Sequence, residues 1–321
     1  MSTATPVLLD VRIRQIRLEA EGIVSYVLKP ADGSALPAFT AGAHIDLHLP
    51  HEMVRSYSLM NAPGETHRYV IAVQRETDGR GGSAWMHAVP RVGDVLRISK
   101  PANDFPLVED SPFSVLIAGG IGITPMLSMA RRLSALGRPW KMYYAARSSA
   151  HAAFTAELEA LAEDDLPPEL NFSANPANRF DLRAILSAAP LGAHCYCCGP
   201  AGMIDAFLAA GDALPREQLH VERFAASSEA ATAGGFEVVL NRSGRRLEVA
   251  AGKTILDVLL DNAVPVQYAC SAGVCGTCLT DVVDGIPDHR DDYLDEGEKA
   301  ANRSIMICCS GSLSKTLVLD L

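Results

Sequence analysis

The sequence predicts a multidomain protein that begins with an antiparallel β-barrel, continues into an α/β domain with a parallel sheet, and ends in a small α+β module. Short alternating segments, broken by glycine and proline, predict the barrel between residues 11 and 106. Apolar strands that alternate with helical patterns predict the parallel sheet between residues 113 and 224. A run of Ala, Ser, Thr and Gly then indicates a flexible connector. We therefore expect domains at 1–108, 109–225 and 236–321, with a linker at 226–235.

Particular segments support each of these predictions. The barrel is predicted from four alternating strands, which are Val11–Arg17, His44–Leu49, Tyr69–Gln74 and Val95–Ser99. The α/β domain is predicted from three apolar strands and a helix, which are Ser114–Ala118, Trp140–Ala145, His194–Cys198 and Thr124–Leu136. The last module begins with two alternating strands around residues 241–246 and continues into a helix over Thr254–Asn262, which is typical of a mixed α+β fold.

Composition and charge exclude several classes of function. The formal net charge is -10, whereas binding to phosphate backbones requires a basic footprint, so no nucleic-acid partner is expected. The longest uncharged stretch, Ser111–Ala130, contains Gly119, Gly120, Gly122 and Pro125, which favours a buried strand, turn and helix over a membrane span. Charged residues near the N-terminus interrupt any apolar core of an export signal, and the eight cysteines then indicate thiol or metal chemistry in the cytoplasm.

The cysteines of the last module have the spacing of plant-type [2Fe–2S] ligands. Cys270, Cys275 and Cys278 form C-x4-C-x2-C, and Cys308 lies 308 − 278 = 30 positions further on. The small residues between the first three let backbone N–H groups approach the sulfides of a cluster. A zinc site is the alternative, but the segment has one C-x2-C knuckle where such sites commonly use two. Cys309 is a second candidate for the fourth ligand, although neighbouring residues on a strand point to opposite faces.

A second group of cysteines lies on a predicted strand of the α/β domain. Cys195 and Cys197 share one strand face, so we expect them to be buried core residues rather than metal ligands. Cys198 ends the strand in Cys198-Gly199-Pro200, at the edge where open α/β sheets bind their ligands. Cys198 is therefore a candidate site residue.

Two turns of the α/β domain indicate nucleotide binding. The run Gly119-Gly120-Ile121-Gly122-Ile123-Thr124-Pro125 follows an apolar strand and opens a helix, whose N-terminal amides can receive a pyrophosphate. A tight structural turn is the alternative for this run. The second turn, Cys198-Gly199-Pro200, follows a later strand and strengthens the nucleotide interpretation.

Two segments of the barrel suit a bound phosphate and an aromatic ring system. Arg55-Ser56-Tyr57-Ser58 offers a guanidinium, an aromatic platform and hydroxyls. Gly81-Gly82-Ser83, which completes a run starting at Gly79 and Arg80, offers amides and a hydroxyl that can form an anion nest. An ordinary exposed strand and a glycine-rich hairpin turn are the alternatives for these two segments.

The order of these motifs resembles that of ferredoxin-NADP reductase-like flavoproteins. Their series is Arg-x-Tyr-Ser, Gly-Gly-Ser, Gly-Gly-Ile-Gly-Ile-Thr-Pro and Cys-Gly-Pro, and all four motifs stand here in that order. With the appended cysteine motif, the whole chain resembles the phthalate dioxygenase reductase family, the reductase components of Rieske oxygenases that attack aromatic acids and ethers. The resemblance implies an FMN-binding barrel, an NADH-binding α/β domain and a C-terminal β-grasp ferredoxin.

The resemblance also implies roles for individual residues. The flavin is expected to contact Arg55, Ser56, Tyr57, Ser58, Ala72, Val73, Gln74, Gly81, Gly82 and Ser83, with Phe224 near its ring. The nicotinamide nucleotide is expected to contact Gly119, Gly120, Gly122, Ile123, Thr124, Pro125, Arg147, Cys198, Gly199 and Pro200, with Thr124 and Cys198 as the catalytic pair that flanks the stacked rings. The expected cluster ligands are Cys270, Cys275, Cys278 and Cys308.

The implied reaction passes electrons from NADH through FMN and the [2Fe–2S] cluster to a partner protein. Hydride delivers two electrons at once and the cluster accepts one, so the flavin has to convert between them. Arg147 occupies the region that reads the adenosine ribose, where NAD enzymes commonly carry an acid, so NADPH is the alternative donor. The resemblance favours NADH.

The expected partner is a Rieske non-haem iron oxygenase component, such as that of phthalate dioxygenase, which docks near the ferredoxin module. Residues 288–298 are the densest acidic stretch of that module, and a solvated loop is the alternative reading of their charge. The reductase of a vanillate-type O-demethylase, or of another one-electron acceptor, would share every motif. A zinc-stapled nucleotide sensor is the non-enzyme alternative.

Overall fold

The computed structural model describes residues 8–50, 53–76, 81–163, 165–173, 179–224, 226 and 228–321. The chain divides into two compact units, Met1–Arg223 and Phe224–Leu321. The first unit contains an antiparallel sheet and a parallel sheet, and the second contains a mixed sheet with a small two-stranded sheet.

Six antiparallel strands form the first sheet of the first unit. They are β1 (Leu9–Ala20), β2 (Ile23–Pro30), β3 (His44–His48), β4 (Val54–Ser58), β5 (Tyr69–Gln74) and β6 (Val95–Ile98), in the order β4-β3-β6-β1-β2-β5. The sheet curls so that its edges approach, and Met60 N, just past β4, donates a hydrogen bond to Val70 O of β5 at 3.0 Å. A short helix, α1 (Gly82–Ala88), follows β5. The predicted antiparallel barrel is confirmed.

Five parallel strands form the second sheet of the first unit. They are β7 (Ser114–Gly119), β8 (Trp140–Ala146), β9 (Glu169–Phe172), β10 (His194–Cys198) and β11 (Leu219–Glu222), in the order β11-β10-β7-β8-β9. The accompanying helices are α2 (Ile123–Leu136), α3 (Thr155–Leu161), α4 (Leu182–Ser187) and α5 (Ala201–Ala210). Met60 and Ala72 of the barrel pack in one buried cluster with Met126 of α2 and Tyr144 of β8. The two sheets therefore share a hydrophobic core, which holds the barrel against the α/β domain.

A mixed sheet and a helix build the second unit. The strands are β12 (Phe236–Leu240), β13 (Arg246–Val249), β14 (Leu279–Asp284), β15 (Pro287–Asp288), β16 (Ser304–Met306), β17 (Gly311–Ser312) and β18 (Thr316–Leu319), and the helices are α6 (Ile255–Asp261) and α7 (Glu296–Ala301). The main sheet runs β13-β12-β18-β14-β16, with β12 and β18 parallel. Thr254 and Asp257 form a capping box that starts α6, whose buried face shares the core of the sheet. The predicted β-grasp module is confirmed.

The predicted connector lies along the second unit where it is described. Ala226 N donates to Ala272 O at 2.8 Å, and Ala231 N donates to Cys309 O at 2.7 Å. Small side chains allow this close approach, so the connector satisfies backbone carbonyls of the cysteine-bearing segments. Within the described parts of the whole chain, no helix has the length and apolar character that crossing a membrane requires.

Candidate functional site

The two glycine-containing turns of the α/β domain meet at one edge of its sheet. The strands β8 and β9 extend the sheet on one side of β7, while β10 and β11 extend it on the other. Ligands of open α/β sheets bind at such a switch in strand order, beyond the carboxyl ends of the strands. The turn Gly119–Gly122 follows β7 and the turn Cys198–Pro200 follows β10, so both stand at this switch point.

Only glycine fits where these turns touch. A Cβ on Gly122 would overlap the carbonyl group of Cys198 and lie 2.9 Å from Gly199 N. A Cβ on Gly119 would lie 2.7 Å from Pro200 Cδ. The helices α2 and α5 begin directly after the two turns, so both helix N-termini stand at the same edge. The arrangement fits a pyrophosphate.

The two residues predicted to be catalytic are both buried at this edge. Thr124 is 2% exposed, and its Oγ1 donates to Ile121 O at 3.0 Å, so the hydroxyl holds the glycine turn in place. Cys198 is fully buried, and its Sγ donates to Glu222 Oε2 at 3.9 Å. Burial, with the neighbouring Glu222, raises the pKa of the Cys198 thiol well above its usual range. The thiol is therefore a neutral hydrogen-bond donor.

Glu222 is a site residue that the sequence motifs do not mark. The parallel pairing of β10 with β11 sets Glu222 directly beside Cys198. Burial, and then the charge of Asp104, raises the pKa of the Glu222 carboxyl to about 8. In the sequence, the only hint of a role for Glu222 is a carboxylate at the end of β11. Its contact with the Cys198 thiol depends on the pairing of β10 with β11, which no motif shows.

Arg147 comes directly after β8 and is exposed at the same edge of the sheet. A hydrogen bond stabilises the segment that follows it, because Ser148 Oγ and His151 Nδ1 lie 2.8 Å apart. Glu21 N of the barrel donates to Ala150 O of this segment at 2.8 Å. The predicted ribose-reading segment is thus tied to the flavin barrel.

Arg55 and the Gly81-Gly82-Ser83 turn, separated in sequence, come together in the barrel. A Cβ on Gly82 would lie 2.8 Å from Arg55 Nε, so the arginine side chain lies across the start of α1. Gly81 has a φ of +83°, a conformation that favours glycine. Ser83 Oγ accepts a hydrogen bond from Glu76 N at 3.1 Å. This cradle, which a Cβ would fill, fits a flavin phosphate. Gly79 and Arg80 lie outside the described residues.

The remaining residues of β4 that were predicted to contact the flavin are Ser56, Tyr57 and Ser58. Ser56 Oγ donates to Asp46 Oδ1 at 2.6 Å. Burial raises the pKa of Tyr57 to about 12, and the Arg55 charge opposes that rise, so the phenol is neutral. Ser58 is buried, 6% exposed. Tyr57 therefore offers an uncharged aromatic face on the strand that carries Arg55.

The predicted flavin residues of β5 differ in what they can offer. The side chains of Ala72 and Val73 are buried in two hydrophobic clusters, so they belong to the core. The backbone carbonyl of Val73 lies 3.0 Å from His87 Nε2. Gln74 is partly exposed, and its Oε1 would lie 3.8 Å from a Cβ on Gly120. The end of β5 thus stands next to the nucleotide turn. Phe224 opens the second unit and is 41% exposed, and its place near the flavin ring stays a prediction.

The four predicted cluster ligands are paired two by two in the second unit. Cys270 is hydrogen-bonded to Cys275, and Cys278 to Cys308. The hydrogen bond from Cys270 lowers the pKa of the Cys275 thiol below its usual value. Two pairs are what two irons with two thiolates each require.

The backbone of the three-cysteine loop turns its amides towards the thiols. Ala272 N donates to Cys270 Sγ at 3.3 Å. Ser271, Gly273 and Gly276 have φ values of +52°, +74° and +77°, in the left-handed region. The loop therefore has the sulfur-directed N–H groups that a [2Fe–2S] cluster uses.

Cys308 and Cys309 lie in a turn after β16 and not on a strand. Cys309 N and Ser310 N both donate to Met306 O, at 3.3 and 3.0 Å. The expectation of opposite strand faces is therefore wrong, because the backbone leaves the sheet before it reaches the two cysteines. Both thiols are buried. Cys308 is hydrogen-bonded to Cys278 and also to Cys309, whose Sγ lies 3.8 Å from Met306 O and from Ser310 Oγ.

These features define a class of protein: a nicotinamide-dependent flavoprotein reductase with its own ferredoxin module. Residues 238–311 match the family model of the 2Fe-2S iron-sulfur cluster binding domain, and residues 116–208 match that of the oxidoreductase NAD-binding domain.

Proteins that are similar over almost the whole chain indicate the family within this class. The chain is 50% identical over 320 residues to phenoxybenzoate dioxygenase subunit beta of Ectopseudomonas oleovorans, covering 100% of this chain and 99% of that one. It is 46% identical over 317 residues to tetrachlorobenzoquinone reductase of Sphingobium chlorophenolicum, covering 98% of each. The solved structure of phthalate dioxygenase reductase superimposes with a TM-score of 0.85 at 38% identity, covering 98% of each chain.

The chain therefore belongs to the phthalate dioxygenase reductase family of oxygenase reductases. It is an NADH-dependent oxidoreductase that uses FMN and a [2Fe–2S] cluster to pass electrons to an oxygenase partner, as its motifs predicted.

Proposed function

We propose that the ferredoxin module of this chain delivers single electrons to a Rieske non-haem iron oxygenase that acts on an aromatic acid or ether. The observation that carries the proposal is the set of four thiols, paired two by two, beside a partly exposed aromatic ring. A full-length relative that is named as a dioxygenase subunit supports an aromatic substrate. We also infer a cytoplasmic location, because all eight cysteines are free of disulfides, which suits a reducing compartment.

The residues of the first unit bind and orient the two nucleotides. The N-terminal amides of α2 and α5 hold the NADH pyrophosphate. Arg55 and the amides around Gly82 hold the FMN phosphate. Cys198 keeps its proton and, with Thr124, would exclude water from the edge of the sheet where the nicotinamide is expected to bind. FMN, when bound, would supply the hydride acceptor, and the [2Fe–2S] cluster would supply a one-electron carrier.

The partly exposed ring of Tyr293 marks the face of the ferredoxin module from which electrons would leave for the partner. A Cβ on Gly276 would overlap the ring of Tyr293 and lie 2.7 Å from its Oη, so the ring packs directly on the three-cysteine loop. Tyr293 is nevertheless 49% exposed, and Leu279, directly after Cys278, is 42% exposed. Aromatic residues are enriched at protein interfaces, so this face suits a docked partner close to the cluster.

The acidic stretch beside Tyr293 supplies three exposed carboxylates rather than the whole run. Asp291 is buried, at 2% exposed, and cannot meet a partner. Asp288 is paired with Arg290 at 2.9 Å. The exposed acids are Asp295, Glu296 and Glu298, and Glu296 keeps a 96% exposed side chain although Lys299 Nζ lies 3.7 Å from its Oε1. They give the docking face a negative charge that steers a basic partner.

The docking proposal is tested by removing these charges without damaging α7. Asp295→Asn, Glu296→Gln and Glu298→Gln together keep the acceptors of the capping box, since Asn and Gln serve the same cap positions. The NADH-reduced variant is mixed with a purified Rieske oxygenase in a stopped-flow spectrometer at low salt. We expect oxygenase reduction about tenfold slower and less dependent on salt. Glu248→Gln, an exposed acid on β13, is the control, and an unchanged rate in the triple variant contradicts this docking face.

A quinone is a second candidate acceptor, because a relative with 46% identity over nearly the full chain is named as a quinone reductase. A quinone that takes electrons at the flavin does not need the ferredoxin module. Quinone reduction that persists in a Cys308→Ser variant at the wild-type rate would support this candidate. Oxygenase reduction, by contrast, should fail in that variant.

A further inference from the structure

A buried polar group in the ferredoxin module has no part in the electron path described so far. The side chain of Asp291 is fully buried. Its Oδ2 accepts a hydrogen bond from Leu294 N at 2.8 Å, and its Oδ1 accepts one from Ser310 Oγ at 3.3 Å. His289 Nδ1 lies 3.6 Å from the same Oδ1, beyond hydrogen-bond distance. Hydrogen-bond donors that face a carboxylate stabilise its charged form.

This carboxylate lies between the two segments that carry the cluster ligands. Asp292 N donates to Gly273 O at 3.0 Å, within the three-cysteine loop. A Cβ on Gly273 would lie 3.3 Å from Asp291 Cα and 2.6 Å from Cys309 Sγ. Ser310, which donates to Asp291, is two residues beyond Cys308. The acid is therefore packed against both sides of the cysteine site.

We propose that Asp291 is a positioning residue that tunes the cluster: its buried negative charge lowers the reduction potential, so that the reduced cluster releases its electron more readily to the acceptor. This inference rests on the proposed cluster ligands. Cluster potentials respond to nearby charge and to hydrogen bonds at the sulfurs. A unit charge about 10 Å away, at an effective dielectric constant of about 20, shifts an equilibrium by on the order of tenfold.

Burial separates Asp291 from the other acids of its segment. The Glu296 side chain is 96% exposed, and water and salt screen a charge in that position. Asp291 has no such screening, because protein atoms surround it. Two acids of the same stretch should therefore affect the cluster very differently, although they lie close together in sequence.

The test compares two neutral variants of Asp291 with a matched surface variant. Asp291→Asn and Asp291→Ser both keep an oxygen that accepts from Leu294 N, as such side chains do in local turns. Cluster midpoint potentials are measured by redox titration with EPR detection, together with iron content. We expect a full complement of iron and a midpoint raised by the equivalent of about tenfold, which is 59 mV for one electron. Glu296→Gln should shift it by less than twofold.

The proposal is overturned if either Asp291 variant keeps its iron and the wild-type midpoint. It is also overturned if both variants lose their iron while FMN is still reduced by NADH, because Asp291 would then be a structural residue only. The wild-type protein provides the separate check on the function itself. Absence of a [2Fe–2S] EPR signal after NADH reduction of the wild type would contradict the proposed function, whatever the variants do.

Discussion

Gly122 and Cys198 meet backbone to backbone, so closely that a Cβ on Gly122 would overlap the Cys198 carbonyl group. This contact joins the turn after β7 to the turn after β10. The proposed pyrophosphate site and the buried thiol of Cys198 are therefore in direct backbone contact. The close approach also explains why residue 122 is a glycine.

Gly122→Ala should separate these turns and weaken nucleotide binding. The new methyl group meets backbone atoms, which cannot rotate away, so the backbone itself has to shift. We expect the KM for NADH to rise by about tenfold or more, while FMN and iron content stay at wild-type levels. Gly64→Ala is the matched control, because a Cβ there meets nothing within 4 Å and Gly64 belongs to neither turn nor to the helices that follow them. Unchanged NADH kinetics in Gly122→Ala would show that the turns do not form the nucleotide site.

Gly82→Ala should displace the Arg55 side chain and weaken FMN binding. The methyl group would lie 2.8 Å from Arg55 Nε, and a flexible arginine can move away without unfolding the barrel. Moving the guanidinium removes its hydrogen bonds to the phosphate, so we expect the dissociation constant of FMN to rise by about tenfold. Flavin fluorescence on dilution measures it. Gly64→Ala, in open space on the same barrel, should bind FMN normally, and normal binding by Gly82→Ala would contradict the assignment of Arg55.

Cys308→Ser should lose the cluster, whereas Cys309→Ser should keep it. Cys308 is the thiol that is hydrogen-bonded to Cys278, while Cys309 is hydrogen-bonded to Cys308 and lies 3.8 Å from Met306 O and from Ser310 Oγ. Iron analysis and the visible spectrum of each variant measure the outcome, and NADH should still reduce the FMN of Cys308→Ser. Loss of iron from Cys309→Ser, with retention in Cys308→Ser, would reverse the ligand assignment.

The raised pKa of Glu222 predicts a pH-dependent cost in stability. Its pKa rises from 4.5 to about 8 on folding, so below pH 4.5 the carboxyl is protonated in both states and costs nothing. As pH rises from 4.5 to 8 the unfolded state ionises first, and stability falls until the cost is complete above pH 8. Relative to Glu222→Gln, the wild type should lose about 2 to 4 kcal/mol in its free energy of unfolding between pH 5 and pH 9.

Urea unfolding of the wild type and of Glu222→Gln, followed in the full chain at pH 5, at pH 9 and at one pH between them, measures this difference in the free energy of unfolding. Glu217→Gln, an exposed acid that precedes β11, is the control and should track the wild type at every pH. A difference between wild type and Glu222→Gln that stays flat with pH would mean that the Glu222 carboxyl is solvated in the folded protein.

Local patterns predicted the elements well where one physical signal dominated. The pattern of short alternating segments predicted β5 at Tyr69–Gln74, and the pattern of apolar strands predicted β10 at His194–Cys198, both with the bounds that the structure has. The face of Cys195 and Cys197 followed from the same periodicity, and both lie in a buried cluster. The turn at Cys308 was missed, because strand alternation was extended past the end of β16.

Residues that depend on packing between distant segments could not be found in this way. Glu222 gains its significance from pairing with Cys198 on the neighbouring strand. Asp291 looked like one acid among several in a charged run, and only the fold buries it against Ser310. The sequence has no local signal for such burial, because the covering atoms come from other parts of the chain.

An anaerobic titration with NADH, followed by absorbance, tests the central claim most directly. The claim is that one chain couples a two-electron flavin to a one-electron cluster. The account predicts that FMN and the [2Fe–2S] cluster both bleach, and that the chain takes up three electrons in total. Uptake of two electrons with an unchanged iron–sulfur absorbance, or a colourless protein that NADH does not alter, would contradict it.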